Sequence, residues 1–401
     1  MLDIKSDFPT LLNNPNLAYF DSAASTQTHK SVLKAMNKYY EHYRSNTNRG
    51  EYPISEQASM AIDVARSQVA NLVNVPTSSI MFTSGTTQGL NMIARWMKDY
   101  KKVLVTEAEH NANIVPWLVQ GRSLERGNLL VMPVNDFDGS IDMYELEKLL
   151  QEHANGHQDL LVSINATSNV TGVTQPWGAI ADLSHKFGAT VCVDFCQTMA
   201  HEKVDLSHTP VEFAVFSAHK MYGPTGVGAL YSSFEFDDLF PQYFGGGSVE
   251  NVTFDHVSLK QGIDKHCPGT PDIANIIGFG VACEMLNYVG YPTIYLQEQD
   301  VLKNLLSYGV DLLPNCTVFP VEGFKNNIIS IIPTKGHSAD VGMLLANTDV
   351  AVRTGRVCAH PLVDRISGGK GIVRVSFAPY NDEEDCKKLC QELQSALLKI
   401  K

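Results

Sequence analysis

The sequence predicts an α/β fold, in which a large domain with a mostly parallel sheet is followed by a smaller C-terminal α+β domain. Apolar, β-branched runs alternate with stretches of helical period up to about residue 280, where this alternation stops. The chain has 401 residues, 44% of them hydrophobic, which is enough for two domains. We therefore expect an N-terminal segment at 1–17 that packs with the small domain, a large domain at 18–280 and a small domain at 281–401.

The large domain is predicted from strands and helices that alternate along the chain. Residues 78–85, SSIMFTSG, indicate a strand, and the helix after it repeats apolar residues at helical spacing from Leu90 to Met97. Further strands are expected at 101–110, 128–135, 159–169, 189–197 and 212–220, and helices at 143–153 and 178–188. Because open α/β sheets bind their ligands at the carboxyl ends of the strands, polar residues should collect there.

Beyond residue 280 the pattern indicates the small domain. Helices are expected at 276–290 and 293–313, and strands at 326–334, 350–355 and 371–380. A last helix is expected at about 382–400. Asn381 lies three residues before Glu384, which is the spacing of a capping box.

Composition and charge exclude several classes of protein. Acidic residues outnumber basic ones by 43 to 31, a formal net charge of −12, so the chain has no electrostatic footprint for nucleic acid or for an anionic membrane surface. The first residues lack the pattern of a signal peptide, and no uncharged segment reaches transmembrane length. Eight scattered cysteines argue against a disulfide scaffold. We therefore expect a soluble, cytoplasmic protein.

A lysine stands where a buried strand ends and a glycine-rich turn begins. Lys220 follows Ser217 and His219, and the glycines after it allow the backbone to approach a bulky ligand. A lysine partly withdrawn from water is a nucleophilic amine that suits Schiff-base chemistry. The alternative is a solvated surface charge, the commoner fate of a lone lysine at a strand end.

Asp194 lies inside the apolar run VCVDFCQ, where a strand should be buried. A buried carboxylate costs several kcal/mol unless it is paired, and a protonated pyridine nitrogen is one such partner. A structural aspartate that is satisfied by the backbone or by a basic side chain is an equally good interpretation of this residue alone.

The turn Ser84-Gly85-Thr86-Thr87 ends one strand and opens a helix. Small residues and hydroxyls at a helix N-terminus form an anion site from free amides and the helix dipole. Ordinary N-capping by a hydroxyl side chain is the alternative.

One cysteine lies in a polar setting. Cys358 belongs to RTGRVCAHP, with Arg353 and Arg356 close by in sequence, and nearby positive charge favours the reactive thiolate. A small apolar filler is the alternative. Cys386 and Cys390 are expected on the buried face of the last helix, in the protein core. The remaining cysteines have no spacing that indicates zinc, and we expect no metal site.

Together these segments resemble the pyridoxal-phosphate (PLP) enzymes of the class V aminotransferase family, and within it the group II, SufS-type cysteine desulfurases. The resemblance extends from LAYFDSAASTQ near the start to VRVSFAPYND near the end. The motifs that carry it are SGTT, EAEHNANIVPW, SNVTG, VDFCQ, SAHKMYGPTGVGALY, GGG, PGTP and RTGRVCAHP. It implies PLP fold type I, like that of aspartate aminotransferase.

The resemblance also implies roles for individual residues. Lys220 is the Schiff-base lysine, Asp194 keeps the pyridine nitrogen of PLP protonated, and Gln197 bonds the ring hydroxyl. His110 stacks on the ring and belongs to the catalytic set with Lys220 and Cys358. The residues implied for the phosphate are Thr86, Thr87, Ser217 and His219, with Thr270 reaching in from the second subunit of a homodimer. The residues implied for the substrate are Asn169, Arg353 and Arg374, with Arg374 on its carboxylate.

The implied reaction converts L-cysteine to L-alanine and leaves a persulfide on Cys358 for an acceptor protein, as in iron–sulfur cluster assembly. A selenocysteine lyase would share the cofactor site and the cysteine, whereas another class V lyase would need no cysteine at 358. A catalytically silent subunit that binds a sulfur carrier is the alternative outside enzymes, and retention of the cofactor residues argues against it.

The sequence departs from the group II pattern in three places. Arg356-Val357 stands where that pattern has two histidines before the cysteine, and Asn48 and Tyr52 stand where it has histidines around Arg49 and Gly50. CPGTP replaces the common Glu-Ala-Gly-Thr-Pro. These changes leave the expected cofactor site intact and bear on substrate choice and sulfur acceptor.

Overall fold

A computed structural model describes residues 4–47, 50–156, 158–209, 211–321 and 327–400. The helices are α1 Pro9–Asn13, α2 Lys30–His42, α3 Pro53–Val73, α4 Thr86–Trp96, α5 Val115–Val119, α6 Met143–His153, α7 Trp177–Lys186, α8 Ile273–Val289, α9 Tyr291–Ser307, α10 Ser338–Leu345, α11 His360–Ser367 and α12 Glu383–Lys399. The strands are β1 Ala18–Tyr19, β2 Ile80–Thr83, β3 Lys102–Thr106, β4 Leu129–Met132, β5 Leu160–Asn165, β6 Thr190–Asp194, β7 Phe213–Ser217, β8 Gly228–Ser232, β9 Val249–Val252, β10 Val257–Leu259, β11 Cys316–Phe319, β12 Ile328–Pro333, β13 Val350–Ala351, β14 Arg353–Gly355 and β15 Ile372–Ser376.

The large sheet has seven strands in the order β2-β8-β7-β6-β5-β3-β4. Strands β7, β6, β5, β3 and β4 are parallel, and β8 runs antiparallel to both of its neighbours. The mostly parallel sheet that the alternating pattern predicts is therefore present. Every residue of β5 and β7 is buried, which is the continuous apolar pattern expected of strands covered on both faces.

The register of the parallel strands brings their polar ends to one edge of the sheet. Asn165 at the end of β5 is level with Asp194 at the end of β6, and Asp194 is level with Val215, two residues before Ser217 in β7. The N-terminus of α4 lies beside the same edge, because the amide of Thr86 donates a 2.8 Å hydrogen bond to Ser217 Oγ. This edge positions the site.

The second sheet has four antiparallel strands in the order β11-β12-β15-β14. Its core includes α9, α10 and α12, and Ala18 and Phe20 from the start of the chain pack into the same cluster. Strand β1 pairs in parallel with β13, and Lys5 forms ion pairs with Asp382 and Asp385. The N-terminal residues are thus tied to the elements of the second sheet. Cys386 and Cys390 are buried there, as predicted.

The capping box of the last helix is one residue away from the predicted position. Asp382 is the N-cap and Asp385 its partner, so the prediction of Asn381 with Glu384 is wrong. The Asn381 side chain accepts from the Ala378 amide and donates to the Tyr19 carbonyl instead.

Among the described residues no single helix is long and apolar enough to cross a membrane. One pair, α8 with α9, passes such a test only when taken together, and it is bent by 80°.

Candidate active site

A cavity of about 330 Å³ opens at the carboxyl ends of β5, β6 and β7. Its walls contain every predicted site residue except Thr270. Those residues are Thr86, Thr87, His110, Asn169, Asp194, Gln197, Ser217, His219, Lys220, Arg353, Cys358 and Arg374. Residues from both sheets therefore meet in one place, with Lys220 from the large sheet and Cys358 from the loop between β14 and α11.

The N-terminus of α4 forms one end of the cavity. Its N-cap residue is Gly85 with φ of 144°, and no side chain caps the helix from that position, so the capping interpretation does not account for this turn. Ser217 Oγ lies 2.9 Å from Thr86 Oγ1. A Cβ added at Gly228 would lie 2.7 Å from Gly85 Cα, so only glycine lets β8 approach the turn this closely. Free amides and hydroxyls here suit an anion.

Asp194 presents a buried carboxyl group to the cavity. Only 5% of the residue is exposed, and Oδ1 accepts a 2.8 Å hydrogen bond from the Cys196 amide. Burial raises the pKa of Asp194 to about 6, against the opposing effects of the Cys196 amide and the Lys220 charge. A cationic N–H group in the cavity would offset the cost of burying this charge.

Two histidines of the cavity are held neutral. Burial lowers the pKa of His110 to about 4, and the charges of Lys220 and Arg374 add to the effect. The pKa of His219 is also lowered to about 4, by burial and then by Lys220. His110 Nδ1 accepts a 3.1 Å hydrogen bond from the Ala112 amide, which fixes the ring at the start of a short 3₁₀ turn. A neutral, fixed ring suits stacking on an aromatic ligand.

Arg374 is a buried cation with few partners. It is 2% exposed, Nη1 donates to the Asn169 carbonyl at 3.2 Å, Nη2 donates to Asp21 Oδ1 at 3.3 Å, and Nε has no partner. Burial lowers its pKa to about 10, so it stays charged at neutral pH. Arg353 donates from Nε and Nη2 to the same Asp21 carboxylate, the closest bond being 2.7 Å. Arg374 therefore retains capacity for a carboxylate ligand.

The loop of Cys358 has an unusual backbone. Val357 and Cys358 have φ of 41° and 58°, a region that residues other than glycine adopt rarely. Two hydrogen bonds hold it, from Asn169 Nδ2 to the Val357 carbonyl at 2.7 Å and from the Asn111 amide to the Cys358 carbonyl at 2.6 Å. Cys358 itself is exposed. The loop thus presents a thiol at the mouth of the cavity.

Some predicted partners lie elsewhere. Arg356 donates to Asp364 Oδ1 at 2.8 Å and does not line the cavity, whereas Arg353 and Arg374 line it together with Cys358. Thr270 is exposed, and its hydroxyl donates to Asn46 Oδ1 at 3.4 Å. Tyr52 is 46% exposed, while Asn48 and Arg49 lie outside the described residues.

The sequence analysis gave no role to three residues that shape the site. Asp21 anchors both arginines, and Cys196 lines the cavity and accepts from Thr86 Oγ1 at 3.4 Å. Glu109 is fully buried and accepts hydrogen bonds from Thr106, Asn113 and the amide of Asn165, which lines the cavity. Burial raises the pKa of Glu109 to about 7. The available signal was an acidic residue, Glu109, directly before His110.

The family profile described as Aminotransferase class-V matches residues 18–389. The chain belongs to the class V aminotransferase family. A probable cysteine desulfurase of Vibrio cholerae is 32% identical over 98% of both chains, and a cysteine desulfurase of Cronobacter sakazakii is 33% identical over 96% of this chain and 95% of its own.

Two solved structures are similar to this class V chain. The apo cysteine desulfurase of Thermococcus onnurineus NA1 superposes with a TM-score of 0.88 at 28% identity, over 99% of this chain and 98% of that one. The Escherichia coli cysteine desulfurase CsdA, in an S-sulfonic acid form, gives 0.85 at 28% identity with the same coverage. The predicted family, PLP fold type I and PLP cofactor are confirmed.

The residues of this class V site fit PLP. The α4 N-terminus offers amides and hydroxyls for a phosphate, and the buried Asp194 carboxyl suits a protonated ring nitrogen. Among the lining residues, Asn165 Oδ1, Asn169 Oδ1 and Arg374 Nε are buried and have no hydrogen-bond partner among the described residues. Because buried polar atoms are normally paired, these three indicate a polar ligand that completes the site.

Proposed function

We propose that this chain is a PLP-dependent cysteine desulfurase, which converts L-cysteine to L-alanine and leaves a persulfide on Cys358. One observation carries the proposal: Lys220, Arg374 and Cys358 line a single cavity although they come from three separate elements. An amine, a carboxylate-binding cation and a thiol are the groups that desulfuration of an amino acid needs. The similarity to proteins named cysteine desulfurase over nearly the whole chain supports the same activity.

The cofactor would be held by residues already placed around the cavity. Lys220 would bind its aldehyde carbon, Asp194 its ring nitrogen and Gln197 its ring hydroxyl, with the neutral His110 ring on its face. The residues for its phosphate are Thr86, Thr87, Ser217 and His219. Bound PLP supplies an electron sink for negative charge at the substrate α-carbon.

The chain's own residues then bind the substrate and move its proton. Arg374 holds the substrate carboxylate in a two-bond fork, and Arg353, with its charge balanced by Asp21, borders the same space. Once the substrate amine has replaced Lys220 at the aldehyde carbon, the amine of Lys220 is free to take the α-proton. Asn169 orients the substrate and also holds the Cys358 loop.

Cys358 takes the substrate sulfur. In the net reaction the carbon–sulfur bond of L-cysteine breaks and a sulfur–sulfur bond to Cys358 forms, so that L-cysteine and the thiol become L-alanine and the persulfide. Atoms and electrons balance without an external oxidant. Because Cys358 is exposed, the persulfide is accessible to an acceptor protein or to a reductant, and we propose a protein acceptor.

The test is incubation of the PLP-loaded protein with L-cysteine, with and without reductant. Without reductant, alanine should form once per active site, and mass spectrometry should find one extra sulfur atom on the peptide that contains Cys358. With reductant, which supplies the two electrons that release the outer sulfur, alanine and sulfide should form in equal amounts over many turnovers. The Cys358→Ala variant should lose this activity, whereas Cys316→Ala, a half-buried cysteine of the second sheet, should keep it. If Cys358→Ala makes alanine and sulfide as fast as the parent protein, the proposed nucleophile is wrong. Selenocysteine in the same assay determines the preferred chalcogen.

We also propose a homodimer in which Thr270 completes the partner's phosphate site. Thr270 is exposed and lies outside its own cavity, and the neighbouring β9–β10 hairpin is exposed along most of its length, with Phe254 at its tip. Light scattering should give twice the chain mass, and Thr270→Ala should weaken PLP binding. A monomer with full activity would exclude this arrangement.

A cytoplasmic location remains our proposal for the cellular setting. The eight cysteines are all free, which suits a reducing compartment. Fractionation of the source cells, with detection by a specific antibody, tests it, and recovery in an oxidising compartment would contradict it.

A further inference from the structure

Helix α11, which follows Cys358 directly, is attached at both ends to one segment of the large domain. At its start, Asn111 Nδ2 donates to His360 Nδ1 at 2.6 Å, and the His360 amide approaches Asn111 Oδ1 at 3.4 Å. Near its end, Arg365 Nε donates to Glu107 Oε1 at 2.5 Å. Both attachments reach the segment that contains His110.

We propose that these four residues, Glu107, Asn111, His360 and Arg365, form an interdomain clasp that positions the Cys358 thiol relative to the His110 ring. The inference rests on the proposed function, because it assigns the clasp to the sulfur-transfer step. The four are positioning residues, since they act through the Cys358 loop and do not line the cavity.

The geometry explains why a clasp is needed at this point. Val357 and Cys358 occupy the left-handed region without being glycine, a backbone that persists only when its surroundings hold it. The Asn111 backbone amide holds the Cys358 carbonyl, and the Asn111 side chain holds the next turn through His360. The two bonds from one residue fix successive parts of the loop.

The same turn also positions His110, the residue expected to stack on the cofactor. His110 is the N-cap of the 3₁₀ turn that Asn111 opens, and its ring accepts from the Ala112 amide. The ring of His110 and the side chain of Asn111 therefore extend from the same hydrogen-bonded turn. Arg365 adds a second point with two acidic partners, Glu107 and Asp136, the latter at 2.7 Å. Two attachments restrain the rotation of α11 that a single one would allow.

The first test is hydrogen exchange on the PLP-loaded protein without substrate, read on peptides that cover residues 353–363. Asn111→Ala and His360→Ala should each raise the exchange rate of this segment about fivefold, because each removes the side-chain hydrogen bond between Asn111 and His360. His360→Asn should restore protection, since its amide oxygen occupies nearly the place of Nδ1. Asn155→Ala, an exposed asparagine bonded within its own turn, is the matched control and should change nothing.

The second test is a double-mutant cycle on the rate of persulfide formation. Each single variant should slow this step about fivefold with the visible absorbance of bound PLP and the KM for L-cysteine unchanged, and the double variant should be no slower than either single one. If the double variant slows persulfide formation by the product of the two single effects, the two residues act independently and the proposal of a clasp is wrong. An unchanged hydrogen-exchange rate of residues 353–363 in the single variants would also contradict it. Retention of full activity by Cys358→Ala would overturn the proposed function instead, because the exchange measurement needs no turnover.

Discussion

Asn169 donates a 2.7 Å hydrogen bond from its side-chain amide to the carbonyl of Val357, the residue before Cys358. Asn169 also lines the cavity, and its Oδ1 is buried without a partner among the described residues. One side chain thus contacts the nucleophile loop through its nitrogen and offers its oxygen to a ligand. A ligand that bonds to Asn169 Oδ1 would therefore also affect the loop that carries the Cys358 thiol.

Asn169→Asp should therefore impair sulfur transfer more than Asn169→Ala. A carboxylate cannot donate to the Val357 carbonyl and repels it, whereas alanine only removes the bond, at a cost of about fivefold to tenfold in rate. Single-turnover formation of the Cys358 persulfide is the measurement. Equal rates for the two variants would show that the bond to Val357 does not govern the step.

Lys220→Ala should abolish turnover, with a loss of about 10³-fold or more, since in the proposed mechanism the amine both anchors the cofactor and moves the α-proton. Borohydride reduction of the parent protein should fix PLP on the peptide that contains residue 220. Lys260→Ala, which removes a half-buried surface lysine paired with Asp264, is the control and should retain the cofactor. Labelling at any other lysine would contradict the site assignment.

Arg374→Lys should raise the KM for L-cysteine about tenfold or more while leaving PLP absorbance unchanged. Lysine keeps the charge but lacks the planar fork that binds a carboxylate by two hydrogen bonds. Steady-state kinetics with L-cysteine measure the effect. Arg95→Lys, on the exposed face of α4, should leave KM unchanged. An unaltered KM for Arg374→Lys would place the carboxylate elsewhere.

Asp194 should give the cofactor-free protein a characteristic pH dependence. Burial raises its pKa from 3.8 in the unfolded chain to about 6, so folding favours the neutral carboxyl. That stabilisation is complete below pH 3.8 and is lost as the pH rises through about 6. Above pH 6, Asp194→Asn should therefore be more stable than the parent apo protein by about 2–3 kcal/mol, and the advantage should vanish towards pH 4.

Chemical denaturation at a series of pH values measures this difference. In the PLP-loaded protein the parent should be more stable than Asp194→Asn, because asparagine cannot balance the charge of a protonated ring nitrogen. If the stability difference between cofactor-free Asp194→Asn and the cofactor-free parent does not vary with pH, Asp194 is not the titrating group.

The sequence was most informative where the chemistry lies at strand ends. Asp194, Ser217 and Lys220 each follow or end an apolar run, and parallel pairing then brings them together by a general rule. The resemblance added the residues that periodicity cannot place, such as His110 and Arg374. Strand-end periodicity and the family resemblance together predicted most of the polar residues that line the cavity.

The residues that escaped prediction depend on contacts between distant parts of the chain. Asp21 meets Arg353 across 332 positions and Asn111 meets His360 across 249, and nothing local to either residue signals its partner. The left-handed pair Val357-Cys358 contains no glycine to announce it. The capping box slipped by one residue because an unbroken acidic run, 382–385, offers several matching spacings and the Tyr19 carbonyl takes the asparagine.

Asp21 lies near the start of the chain, and its two arginine partners come from the last eighth. During synthesis, a ribosome must release nearly the whole polypeptide before the carboxylate at the start can meet those guanidinium groups. A nascent chain that still lacks its last residues therefore cannot assemble the Asp21–Arg353–Arg374 group, and we expect incomplete copies to be unable to take sulfur from L-cysteine.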